Sequence, residues 1–180
     1  MRVIGGIYKH RHFDIPHTFK ARPTTDFAKE SLFDVLNNLI EWENTAALDL
    51  FAGTGSISIE MLSRECKRVI SVEKDHQHAA FIHKIMETVK TDKHLLICGD
   101  VFKYLNSSHE KFDLIFADPP YDLPELDTLP VIVFGRNLLK PGGIFVLEHG
   151  KKNDFADAPH IIDQRKYGSV HFSIFKNEEE

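Results

Sequence analysis

The chain has 180 residues, 42% of them apolar, and a formal net charge of −5; this length suits one domain with a sizeable core, and this apolar share excludes overall disorder. No apolar run approaches ~20 residues, so no membrane-crossing helix is expected, and the opening MRVIGGIYKHRHF lacks the long apolar region and cleavage site of a secretory signal. Cys66 and Cys98 form no CxxC pair, and no Cys or acid cluster joins His10 and His12, so a reduced, cytoplasmic protein with neither disulfide nor metal site is expected.

Residues 1–20 hold two short β-prone pieces, RVIGGIY and HFDIP, divided by basic residues. They are expected to form a small hairpin or arm, giving a basic segment over 1–22 ahead of one domain over 23–180. Arg2, Lys9, Arg11, Lys20 and Arg22 lie there against Asp14 alone, whereas the chain closes on Glu178, Glu179 and Glu180. The net charge is unsuited to a polyanion, but a basic arm on an acidic body still sets positive charge against phosphates; the alternative is a solvated face. Pro23 ends the arm, Thr25 or Asp26 caps a helix, and Ala28, Leu32, Val35, Leu36 and Leu39 recur at helical spacing on a core face.

From residue 46 strands and helices alternate. AALDLF, RVISVE, HLLIC, FDLIFAD and IFVLEH read as strands, and SISIEMLSRE, HQHAAFIHKIMETVK, DVFKYLN and roughly 125–139 as the helices between them, with the turn KPGG before the fifth strand. HIIDQRKYG and SVHFSIF, joined at Gly168-Ser169, read as a closing antiparallel pair. The strands are apolar nearly throughout, as strands covered on both faces are. The expectation is an α/β fold: a doubly wound, mostly parallel, seven-stranded Rossmann-like sheet with helices on both faces. In such a sheet the ligand sits beyond the carboxyl ends of the strands, where the strand order reverses.

The first strand runs into LDLFAGTGS, where Gly53 and Gly55 open a strand-to-helix turn that a ligand can approach closely. Glu73 closes the second strand, twenty positions after Gly53, where a carboxylate accepts from ribose hydroxyls. Asp100 follows the third strand in CGDVF, and either accepts from an adenine amine, with Val101 and Phe102 as walls, or caps a helix; the two roles are compatible. Ser58 stands where GxGxxG needs its third glycine, which disfavours a dinucleotide pyrophosphate. S-adenosylmethionine has a ribose and an adenine but no phosphate, and Asp49 near the turn attracts an ammonium or sulfonium where it would repel a phosphate.

The fourth strand ends in ADPPY, beside the first strand in a sheet of this order. An exocyclic base amine is a poor nucleophile because its lone pair is delocalised into the ring. Two acceptors on its protons free that pair: the Asp118 carboxylate and the Pro119 carbonyl, held stiffly by Pro119 and Pro120. Tyr121 supplies a face on which an extruded base stacks, worth ~1–3 kcal/mol. The bland reading is a rigid Pro-Pro turn carrying a surface tyrosine.

LDLFAGTGS and DPPY together resemble the class I S-adenosylmethionine-dependent methyltransferases that modify amino groups. The order RVIGGIYKHRHFDIP, RPTTDFAKESLFDVL, LDLFAGTGSISIE, VEKD, DPPY resembles the RsmD family, bacterial methyltransferases acting on the N2 of a guanine in 16S rRNA; the arm and RPTTD single out that family. The resemblance implies S-adenosylmethionine as cofactor, with Asp49, Phe51, Gly53, Gly55, Glu73, Lys74, Asp100 and Val101 around it. It implies Asp118, Pro119, Pro120 and Tyr121 at the guanine amine, and Arg2, Lys9, Arg11 and Arg22 on rRNA, within the small ribosomal subunit, for a cytoplasmic monomer. Glu148, ending the fifth strand, has a structural reading and a place in the guanine pocket with equal weight. The alternatives are an adenine N6-methyltransferase, for whose target-recognition domain 180 residues leave little room, a glutamine methyltransferase, which would carry Asn in place of Asp118, and a nucleoside-binding module without catalysis.

Overall fold

The computed structural model describes residues 1–20 and 24–179; Arg22, expected on RNA, lies outside the described residues. Helix α1 (Asp26–Asn37) precedes an alternating series: β1 (Ala46–Leu50), α2 (Ser56–Ser63), β2 (Arg68–Glu73), α3 (His76–Val89), β3 (His94–Cys98), α4 (Val101–Ser107), β4 (Phe112–Ala117), α5 (Thr128–Gly135) and β5 (Leu139–His149). The hairpin of β6 (Ile161–Tyr167) and β7 (Val170–Lys176) closes the chain. The sheet order is β3-β2-β1-β4-β5-β7-β6. The first five strands are parallel and β7 runs antiparallel between β5 and β6, so the order reverses between β1 and β4.

Side chains alternate across the sheet and fill two layers. Ala47, Leu114, Phe116 and Val146 pack with α1, α2 and α3, whereas Leu48, Leu50, Ile115 and Phe145 pack with α4 and α5. Among the described residues no helix is long and apolar enough to cross a membrane.

The Thr25 hydroxyl caps α1 by accepting from the Ala28 N–H at 3.2 Å. Ala28, Leu32 and Leu36 are buried as their spacing requires, but Leu39 is exposed because the helix stops at Asn37 and the chain turns away. Lys29 and Phe33 are buried on that face instead. The stretch expected as one helix over 125–139 is helical only over Thr128–Gly135. Asn137 takes a left-handed φ of 55° that ends it, and Leu139 already pairs with Phe112 of β4. KPGG lies inside β5 as a bulge: Leu139 faces Phe112 and Ile144 faces Leu114. Asn177 stitches the bulge, accepting from the Gly142 N–H at 2.7 Å and donating its own N–H to Gly143 at 2.9 Å.

The first residues close a small loop by the antiparallel bridge Arg2↔His12, and the loop is docked on α2. The Ile7 N–H donates to the Ser63 carbonyl at 2.7 Å. Gly6 has φ +78°, and a Cβ there would meet the Ser63 carbonyl oxygen at 1.9 Å, so no other residue allows this approach.

Candidate active site

The chain leaves β1 through three left-handed conformations at alternate residues. Phe51 has φ 57°, Gly53 φ 58° and Gly55 φ 78°. At Gly55 a Cβ would lie 3.0 Å from Cγ1 of Ile82 on α3, so glycine lets the turn and two helices meet. Phe51 holds a left-handed conformation that costs a non-glycine residue ~1–2 kcal/mol, with its ring centroid 6.3 Å from that of Phe102. Glu73 fixes the turn: its Oε2 accepts from the Gly53 N–H at 2.7 Å and its Oε1 from the Asp75 N–H at 3.0 Å. Each carboxylate oxygen has two acceptor directions, so Glu73 retains capacity for hydroxyl groups. Lys74 is exposed beside it, and Val101 is buried. Asp100 caps α4, accepting from the Lys103 N–H at 3.0 Å.

Parallel pairing brings four acids onto one face at the carboxyl end of the sheet. Asp49 pairs with Ser71 of β2 and with Phe116 of β4, and Phe116 pairs with Val146 of β5. Two residues on from those partners stand Glu73, Asp118 and Glu148. The acids therefore follow the strand order as Glu73, Asp49, Asp118, Glu148, on the face covered by α1, α2 and α3. A site so negative suits a cationic ligand and repels a phosphate.

Asp49 is buried and accepts from the Ser58 hydroxyl at 2.6 Å. Ser58 meets the Ser71 hydroxyl at 2.6 Å, and Ser71 meets His94 Nε2 at 2.7 Å. Each hydroxyl has one proton, so with Asp49 ionised the chain of donors runs from His94 through Ser71 and Ser58 to Asp49. This accounts for serine at the position of the third glycine. Burial pushes the Asp49 carboxyl up to about 7, with the Glu73 charge adding to it against the Ser58 hydrogen bond. The folded chain therefore binds this proton more tightly than the unfolded chain does, and stability falls as pH rises from about 4 through 7. Asp49→Asn keeps the acceptor for Ser58 and removes the charge. Its melting temperature is expected to exceed that of the native chain by a margin that grows with pH and levels off above about 8, equivalent to at most ~4 kcal/mol. A margin independent of pH in thermal melts would assign the effect to something other than burial of charge.

The Asp118 N–H donates to the Leu50 carbonyl at 3.2 Å, so the DPPY segment begins where the glycine turn leaves β1. Ala117 pairs with Leu147, which sets Asp118 beside Glu148. Glu148 is 3% exposed and accepts from the Thr24 hydroxyl at 2.9 Å. The Asp118 carboxyl is held well above the usual carboxylate range by burial, by its hydrogen bond to Glu148, and by the charges of Glu148 and Asp49. Pro119 is buried and Pro120 exposed, and the Leu123 N–H donates to the Pro120 carbonyl at 3.0 Å to close the turn. The Tyr121 ring is 37% exposed and packs on Gly150, where a Cβ would lie 2.9 Å from Tyr Cδ2.

The model of a family described as Conserved hypothetical protein 95 matches residues 1–176. The chain belongs to this family. It is the RsmD family that the motifs resemble. A Bacillus subtilis member, "Putative rRNA methyltransferase YlbH", is 31% identical over 98% of both chains. "Ribosomal RNA small subunit methyltransferase D" of Haemophilus influenzae is 27% identical over 98% of this chain and 94% of its own. The solved structure of yhhF from Escherichia coli, 22% identical, superposes with a TM-score of 0.88 over 100% of this chain and 99% of that one, showing the same fold.

In this RsmD-family chain a cavity of about 540 Å³ opens beside the acid row, lined by Arg2, His12, Thr24, Lys29 and Ser56 among others. Thr24 joins it to Glu148 and Ser56 joins it to the glycine turn. Of the expected RNA-binding cations among the described residues, Arg2 lines it. Arg2 pairs with Asp26 at 3.1 Å, while Lys9 and Arg11 are exposed on the loop, Arg11 lying 5.7 Å from the Tyr8 ring centroid. The sequence reading missed the anchor of this loop. Glu60 is fully buried on α2, accepts from the Ile4 N–H at 2.7 Å, pairs with Arg64 at 2.8 Å and faces Lys29 at 3.9 Å. Lys29 donates to the Arg2 carbonyl at 2.7 Å and to Ser56 at 3.0 Å. A signal was present: Glu60 is the one charge within SISIEML, and Lys29 stands one turn before Phe33 on the apolar stripe of α1.

Proposed function

We propose that the chain transfers a methyl group from S-adenosylmethionine to the exocyclic N2 of a guanine in the 16S rRNA of the small ribosomal subunit. The observation that carries this reading is the junction of Asp118 with the glycine turn at the switch point between β1 and β4, in a chain of this family. The residues fit the cofactor chemically. Glu73 would offer acceptors to ribose hydroxyls, Asp100 and Val101 would flank an adenine with Phe51 and Phe102 nearby, and buried Asp49 would attract a cationic amino group. When bound, S-adenosylmethionine supplies an electrophilic methyl on a sulfonium.

The protein's own part is positioning. Asp118 and the Pro119 carbonyl accept from the two protons of the guanine amine and turn its lone pair toward the methyl. Tyr121, braced on Gly150, stacks on the base. No strong base is needed before the bond forms, because the product ammonium proton is acidic and Asp118 stands beside it to receive it. Orientation of two bound reactants accounts for most of the acceleration. The Arg2, Lys9 and Arg11 side chains, together with Arg22, contact phosphates around the extruded nucleotide, and the neighbouring cavity gives the strand room. A preassembled particle, in the cytoplasm, is the substrate, because an acidic chain gains from contacts other than bare RNA phosphate.

The test is incubation of the purified chain with labelled methyl donor and undermethylated small subunits, followed by nucleoside mass analysis. N2-methylguanosine is the expected product. N6-methyladenosine would move the activity to adenine, and no labelled nucleoside beside measurable cofactor binding would leave a binding module.

A further inference from the structure

We propose that Glu148 selects guanine over adenine by accepting the base N1–H while Asp118 holds the adjoining amine. This rests on the methyl-transfer reading above. The two carboxyl groups end neighbouring parallel strands, about 4.8 Å apart, and stand on the same face by register. The Thr24 hydroxyl fixes the Glu148 head from the side of α1. Gly150, two residues beyond Glu148, carries the Tyr121 ring, so the stacking face adjoins both acids.

The base edges decide what such a pair recognises. Guanine presents N1–H beside N2–H, two donors in a row. Adenine presents an N1 lone pair beside N6–H, an acceptor next to a donor. Two acceptors side by side match guanine, and a carboxylate facing adenine N1 sets lone pair against lone pair. Packing gives no reason for the second acid: a carboxyl buried beside another carboxyl is destabilising, and an apolar residue of the same volume avoids that. In the free protein Asp118 keeps its proton above the usual carboxylate range, and its hydrogen bond to Glu148 eases the repulsion. Guanine brings two N–H groups in place of that proton, which passes to solvent on binding, so guanine recognition strengthens as pH rises.

The experiment uses small subunits reconstituted with 16S rRNA that carries either guanine or 2-aminopurine at the nucleotide the native chain modifies. 2-Aminopurine keeps the exocyclic amine and lacks N1–H. The native chain is expected to prefer guanine ~10- to 100-fold in kcat/KM, as one charge-assisted hydrogen bond provides. Glu148→Met should lose that factor on guanine, while transfer to 2-aminopurine should not fall, because its N1 lone pair no longer faces a carboxylate. Glu148→Gln, which retains an acceptor, should recover part of the preference and show a weaker pH dependence, since Asp118 loses one of the charges that raise its pKa. If Glu148→Met does not fold, Glu148→Gln decides alone by a loss of several-fold confined to guanine. An equal loss on both bases, in either variant, makes Glu148 a structural residue and overturns the proposal. Absence of transfer by the native chain to guanine in any small subunit overturns the methyl-transfer reading instead.

Discussion

Asp118→Ala is expected to cut turnover at least ~100-fold, about 2.7 kcal/mol of barrier, while S-adenosylmethionine affinity stays within about twofold. The reason is that Asp118 follows β4 on the substrate side of the acid row, whereas the groups assigned to the cofactor stand on β1, β2 and the start of α4. In the proposed reaction its carboxyl acts on the amine, whose geometry changes most between ground and transition state, so its loss should appear in kcat more than in binding. Misfolding would not explain the result. Removing a buried carboxyl whose pKa is raised by burial and by Glu148 relieves repulsion, so the variant should melt no lower than the native chain above neutral pH. Calorimetric cofactor titration, a thermal melt and single-turnover kinetics measure the three quantities. A matching loss of cofactor affinity would move Asp118 into the cofactor site. The same acid sets the pH profile: its acceptor form is the deprotonated one and its pKa is raised, so turnover should climb with pH until Asp118 has lost its proton.

The largest effect on stability is expected at Glu60. Glu60→Ala leaves the Lys29 ammonium, 1% exposed, without its counter-charge and the Ile4 N–H without its acceptor, a loss of about 3–5 kcal/mol. Burial already lowers the Lys29 pKa, with Glu60 opposing it. In a chain of this size the melting temperature should fall by on the order of 10 °C. A double variant, Glu60→Leu with Lys29→Met, should recover much of that loss, because it removes both charges while keeping the volume. It should not recover all of it, since the Ile4 N–H still lacks a partner. A single-variant loss below about 1 kcal/mol would show that the N-terminal loop is held by Val3 and Gly6 rather than by Glu60. The network also joins the loop to the glycine turn: Lys29 bonds Ser56 at the start of α2, next to that turn, and the Arg2 carbonyl in the loop that carries the cations proposed to face RNA.

The order of strands and helices, their apolar faces and the two motifs at strand ends were legible because each depends on neighbours in sequence. A run such as IFVL is apolar on both sides whatever it meets, and Pro119-Pro120 stiffens its turn before any tertiary contact forms. Element ends were less legible. Leu39 had the right spacing for the core but lay past the end of its helix. KPGG reads as a turn, yet Asn177 holds it within β5 by bonds from 34 to 38 positions away.

By itself, then, the sequence determined the alternating α/β fold and the glycine turn, and set Asp118 and Tyr121 at the end of a strand, since local propensity and residue type suffice for those. The tertiary structure alone decided that Glu73, Asp49, Asp118 and Glu148 form one row, that Ser58 serves Asp49, and that Glu60 and Lys29 hold the N-terminal loop. Those facts depend on strand register and helix packing between residues far apart in the chain, where low dielectric makes each buried charge count according to what lies beside it.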